Sequence, residues 1–133
     1  MNEMESVESK KYLRVGIYLR LSNEDRDKAN KEDDSESIKN QRNMLIDYIN
    51  RHPEFALIDE YSDEDLSGAG TYRPEFERLL QDVRDKKVNT IVVLKLDRLT
   101  RSVSDWEKIL TFLEENDAYL DCANDEINTT NAN

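Results

Sequence analysis

Short apolar runs alternate along this chain with stretches whose apolar residues recur at helical spacing. Residues 13–20 read as a buried strand, and the polar, acidic stretch 23–34 reads as a loop. Ser35 or Ser37 then caps a helix running to about Asn50, with Ile38, Leu45, Ile46 and Ile49 on one face. His52-Pro53 ends it, because the residue before a proline disfavours helix. Residues 55–61 form a second strand, followed by an irregular segment, 62–73, that contains Gly68 and Gly70. Pro74 suits the first turn of a new helix, on which Phe76, Leu79, Leu80 and Val83 follow at i, i+3, i+4 and i+7. Residues 90–94 make a third strand. Trp106, Ile109, Leu110 and Leu113 repeat the helical pattern, 118–122 make a fourth strand and 126–129 a short fifth. This alternation predicts an α/β fold of three layers, α/β/α, around a mostly parallel sheet of four to five strands. In such sheets ligands collect beyond the carboxyl ends of the strands.

Two strand ends carry the candidate chemistry. The first apolar run delivers Arg20 and Ser22, which share a face because residues two apart on a strand do so. The run through Leu94 opens into Asp97, Arg98 and Arg101, the two arginines spaced to face one anion from a single helical turn. Arginine keeps its charge and grips two phosphate oxygens in a fixed fork. A serine among guanidiniums is therefore equipped to attack a phosphodiester, although its hydroxyl must be activated. The chain's one histidine, His52, sits at a helix end where solvation explains it, so activation falls to the arginine field, to Asp97 or to the substrate. The plainer readings are a serine capping a turn and arginines paired with Asp97; the pairing and a catalytic role can coexist. Ser67 to Arg73 form a glycine-containing loop closed by another arginine, without the Gly-Lys-Ser/Thr ending of a phosphate-binding P-loop. Gln41 and Arg42 lie on the helix face that could reach the same edge. Asp63, Asp65 and Asp97 offer a magnesium reading. It fits less well, because each has a basic or hydroxyl neighbour and no carboxylate pair ends the first strand.

Composition narrows the class. At 133 residues the chain holds one domain with a single core. No apolar stretch approaches bilayer length, and the start is polar rather than a basic-then-apolar signal. With Cys122 as the only cysteine, a cytoplasmic protein without disulfides is expected. The net charge of −11 is concentrated: residues 23–36 hold seven acids against three bases, and 114–126 hold six acids and no base. Both strand exits lie outside these segments. The acidity still opposes tight DNA binding by this chain alone, since such affinity rests on phosphate neutralisation.

Four motifs in order resemble the catalytic domain of serine recombinases, the resolvase/invertase family, with spacing closest to the large members that include phage integrases and transposases. They are Tyr18-Leu-Arg20-Leu-Ser22, Ser37-Ile-Lys-Asn-Gln41-Arg42, Asp65-Leu-Ser67-Gly68 with Arg73-Pro74, and Leu96-Asp97-Arg98-Leu-Thr-Arg101. The resemblance implies a resolvase-like sheet of order 2-1-3-4-5. It also implies attack by Ser22 on the scissile phosphate, leaving a 5′-phosphoserine and a free 3′-hydroxyl, with breaks staggered by two base pairs. Rejoining then needs no ATP, metal or other cofactor. Arg20, Arg73, Arg98 and Arg101 match the family's phosphate-binding arginines, and Gln41 and Ser67 its supporting polar residues. Asp97 matches its acidic residue, with a proton-transfer or arginine-orienting role. The expected organisation is a disordered extension at 1–11, the catalytic domain at 12–130, and at 131–133 the truncated start of a long helix carrying the dimer interface. Attachment-site DNA would be found through C-terminal domains missing here. The whole protein would act as a homodimer or homotetramer, and this chain alone would be monomeric or weakly associating, and inactive. A metal-dependent nuclease and a non-catalytic DNA-associated regulator with the same fold remain the alternatives.

Overall fold

A computed structural model of the chain describes residues 13–22, 38–65, 73–100, 102–124 and 127–128. The expected N-terminal extension, the acidic loop, the Ser67–Gly70 stretch, Arg101 and the 131–133 helix start lie outside the described residues. The elements in order are β1 (Leu13–Ser22), α1 (Ile38–Asn50), β2 (Phe55–Asp65), α2 (Pro74–Arg84), β3 (Thr90–Val93), a 3-10 turn η1 (Leu96–Arg98), α3 (Val103–Glu115), β4 (Tyr119–Cys122) and β5 (Ile127–Asn128). Among the described residues, no helix is long and apolar enough to cross a membrane.

The strands form one sheet in the order β2-β1-β3-β4-β5. The first four are parallel, and β5 returns antiparallel to β4. The chain leaves β1 towards β2 but leaves β3 in the opposite direction, towards β4. Because crossovers between parallel strands are right-handed, this reversal sends α1 to one face and α2 and α3 to the other. The core divides accordingly. Val15, Ile17, Leu19, Val92 and Leu94 pack under Leu45 and Ile49 of α1. Tyr18, Tyr61, Ile91, Val93 and Leu120 pack under Phe76, Leu79 and Val83 of α2 and Ile109 and Leu113 of α3. Alternate residues of β1 thus serve opposite layers, as the pleat requires. The point of reversal, between the carboxyl ends of β1 and β3, is where such sheets bind ligands.

Two details of the sheet matter for the site. Gly16 is needed because a Cβ there would lie 2.8 Å from the Tyr61 ring and 3.0 Å from Leu79. β2 extends four residues past the expected end, through Ser62, Asp63, Glu64 and Asp65, all registered against β1. It also carries a bulge: Val15 pairs with Leu57 but Gly16 with Asp59, leaving Ile58 as the extra residue. One extra residue reverses the facing of everything after it. Phe55, before the bulge, therefore packs on the α1 side, whereas Tyr61, of the same parity, packs on the α2 side.

Candidate active site

Arg20 lies two residues past the point where β3 stops pairing with β1, at Tyr18 opposite Val93. The edge that faced β3 would there be left without a backbone partner, and buried backbone groups need one. Gln41 of α1 supplies it. Its side chain is fully buried (0% exposed). Its amide donates to the Arg20 carbonyl at 3.0 Å, and its carbonyl accepts from the Arg20 N–H at 3.3 Å. A second amide closes the other end of the same edge. The Arg14 N–H donates to the Asn89 side chain at 2.8 Å, and the Asn89 N–H donates to the Arg14 carbonyl at 2.9 Å. Gln41 therefore stands in for a strand and holds the last turn of β1 before Ser22.

Three arginines from three elements meet at this exit through one another's backbone. Arg98, in η1, is only 3% exposed, and a buried guanidinium must find oxygen. It donates to the Arg20 carbonyl at 3.3 Å, and Asp97 lies 3.7 Å from its Nε. Arg73, at the start of α2, in turn donates to the Arg98 carbonyl at 3.3 Å. These are long hydrogen bonds, individually weak. They link β1, η1 and α2 into one cationic edge.

Arg73 rests on aromatic rings. Its guanidinium carbon lies 4.0 Å from the centre of the Phe76 ring and 5.3 Å from that of Tyr18. Its Nε–H donates to the Tyr18 hydroxyl at 3.3 Å, and that hydroxyl donates to Asp63 at 2.8 Å. Asp63, buried at the end of β2, also accepts from the N–H groups of Glu75 and Phe76, both at 3.0 Å, and so caps α2 from the neighbouring strand. Burial pushes the Tyr18 phenol well above its usual range, outweighing the opposing pull of Arg73. Tyr18 is thus a protonated donor across the physiological range. Asp63, with both oxygens taken by these three donors, is poorly placed to ligate magnesium. Among the described residues no three His, Cys, Asp or Glu side chains group as metal ligands would.

The expected site residues separate as follows. Arg20, Gln41, Arg73, Asp97 and Arg98 come together at the carboxyl ends of β1 and β3. Ser22 closes β1 in register with Asp65, two residues beyond Arg20; its side chain and that of Asp65 lie outside what is described, as do Ser67 and Arg101. Arg98 reaches towards β1, where it donates to the Arg20 carbonyl; whether it faces one anion together with Arg101 rests on a residue outside those described. Arg42 does not reach the exit. It faces β2 and pairs with Glu60 at 2.6 Å. His52 is at the far end of the sheet, just before β2 begins, its Nδ1 2.7 Å from the Tyr48 carbonyl and its ring stacked on Phe55. Sequence reasoning left Tyr18 without a role and gave Asp63 only the magnesium reading; the one signal for them was their place on the same two strands.

Comparison with known proteins agrees with this architecture. The catalytic domain of TP901-1 integrase superposes with a TM-score of 0.73 at 32% identity, over 90% of this chain and 83% of that one. A resolvase family site-specific recombinase from Streptococcus pneumoniae shares the fold, with a TM-score of 0.71 at 21% identity over 90% of this chain and 77% of that one. In sequence, the chain is 34% identical to the DNA-invertase hin of Salmonella typhimurium over 97 residues, which are 73% of this chain and 46% of the invertase. The chain thus spans a little under half the length of that relative. Residues 15–133 match the family described as resolvase, N terminal domain, and the chain belongs to that family, the catalytic domains of serine recombinases.

Proposed function

We propose that this chain carries the active site of a site-specific DNA recombinase in which the Ser22 hydroxyl attacks the scissile phosphodiester. A bond forms between the serine oxygen and phosphorus as the bond from phosphorus to the 3′ oxygen breaks. The serine's proton ends on the released 3′-hydroxyl, and the 5′ phosphate stays on Ser22. Rejoining is the same step reversed, so the phosphoester bond is conserved throughout. The observation that carries this reading is the linkage of Arg20, Arg73 and Arg98 at the exit of the strand that ends in Ser22. Preorganised cations around a transferring phosphoryl group each contribute about 2.7–4 kcal/mol, by analogy with the loss of single oxyanion donors. Arg101 and Ser67 are expected to complete the site. Asp97 either takes the serine's proton or orients Arg98. Gln41 acts on the strand.

The partner is double-stranded DNA at attachment sites, engaged by a homodimer or homotetramer of the whole protein. Family relatives bearing the names DNA-invertase and integrase support this class of reaction. With a net charge of −11, the chain needs additional basic surface from elsewhere in the protein to hold DNA tightly. The test compares wild type with Ser22→Ala in the complete protein, on DNA carrying the junctions of its own element, with and without EDTA. Recombined junctions from wild type in EDTA, and none from the variant, are expected. Cleavage that survives Ser22→Ala but disappears in EDTA would overturn the serine mechanism in favour of a metal-dependent nuclease.

A further inference from the structure

Arg73 occupies an awkward position. It flanks the N-terminus of α2, whose partial positive charge repels a cation, and a free arginine side chain there samples many rotamers. Two residues outside the proposed chemistry answer both problems. Asp63 brings a carboxylate to that helix end and is itself fixed by the Glu75 and Phe76 N–H groups. Tyr18 connects it to Arg73. A phenol has one proton to donate and lone pairs to accept with. The proton goes to Asp63 at 2.8 Å, so the Tyr18 oxygen is left facing the Arg73 Nε–H at 3.3 Å. The direction of the chain is set: Arg73 to Tyr18 to Asp63. The Phe76 ring beneath the guanidinium and the Arg98 carbonyl beside it restrict the remaining freedom.

We infer that Tyr18 and Asp63 are positioning residues, which hold the Arg73 guanidinium in the orientation in which it meets the scissile phosphate. The phosphate comes from the recombinase reading; the orientation does not depend on it. Tyr18→Phe removes the hydroxyl but keeps the ring that packs 5.4 Å from Phe76. In the 15N-labelled chain, the Arg73 Nε–Hε signal should exchange with water about tenfold faster in this variant than in wild type, the loss of one hydrogen bond to a charged group. In the complete protein, covalent-adduct formation on crossover DNA should slow about tenfold, with DNA binding unchanged. In an Arg73→Ala background the same substitution should cost nothing further, because residues acting through one group are not additive. Asp63→Asn should move the exchange in the same direction; if that variant does not fold, Tyr18→Phe carries the test alone. Unchanged Arg73 exchange in Tyr18→Phe overturns the inference, as does an equal slowing with and without Arg73. If exchange accelerates as expected but wild type forms no serine adduct, the positioning role stands and the recombinase reading falls.

Discussion

Gln41 is a buried glutamine on a helix face whose other buried members are Leu45 and Ile49. An amide in that setting is tolerated only when both its ends are used, and here both are used on the Arg20 backbone. Gln41→Leu keeps the volume and removes the bonding. It should lower stability by about 1–3 kcal/mol, through the Arg20 N–H and carbonyl left without the amide, and urea unfolding measures this directly. Gln41→Ala should fall further because it also opens a cavity. Gln41 and Arg42 looked equally able to reach the site from sequence. They separate because neighbours on a helix point about 100° apart, which sends Arg42 to Glu60 instead. The helix pattern gave the apolar face but not the angle at which α1 crosses β1, and that angle decides which of the two polar residues meets the strand end.

At the level of elements, the apolar strands β1 and β3 were legible because their runs are short, continuous and bounded. The end of β2 was not. Residues 62–65 read Ser-Asp-Glu-Asp, with no apolar alternation, yet they pair with β1 as far as Ser22. Their support is polar: Asp63 is held by the Tyr18 hydroxyl and two helix N–H groups, a pattern invisible to any hydrophobic period. The bulge at Ile58 was equally silent, although Asp63 reaches the site face only because of it. After the bulge, Asp59, Tyr61 and Asp63 turn to α2, where Arg78 binds Asp59 and Asp82 accepts from Tyr61, while Glu60 turns to α1 and Arg42. Deleting Ile58 would force either Phe55 or the Tyr61–Asp63 pair onto the wrong face. The expected loss exceeds about 4 kcal/mol, in the range reserved for disrupted cores and networks. Ile58→Ala, at a side chain 48% exposed, should shift stability by only about 0.5 kcal/mol. Thermal or urea denaturation of the two variants separates the bulge from the side chain it carries.

At the scale of the whole molecule, the fold class followed from the alternation of strands and helices, and the strand order from the resemblance of four motifs to a known family. What neither supplied was how the arginines satisfy one another. Arg73 donates to the carbonyl of Arg98, and Arg98 donates to the carbonyl of Arg20, so two of the three guanidiniums contact the backbone of another arginine. That arrangement follows from the reversal of strand order between β1 and β3, which leaves an open crevice at their carboxyl ends. It also explains how an acidic chain can present a cationic edge: the arginines are gathered by the sheet. In the proposed reaction, Ser22 becomes covalently joined to DNA at that edge. The most direct test is to trap the complete protein on its crossover DNA, digest both components, and identify by mass spectrometry the residue that carries the nucleotide. A 5′-phosphonucleotide on the peptide containing Ser22 is the predicted result. The same adduct on another residue, or cleaved DNA with no protein attached, would contradict the account.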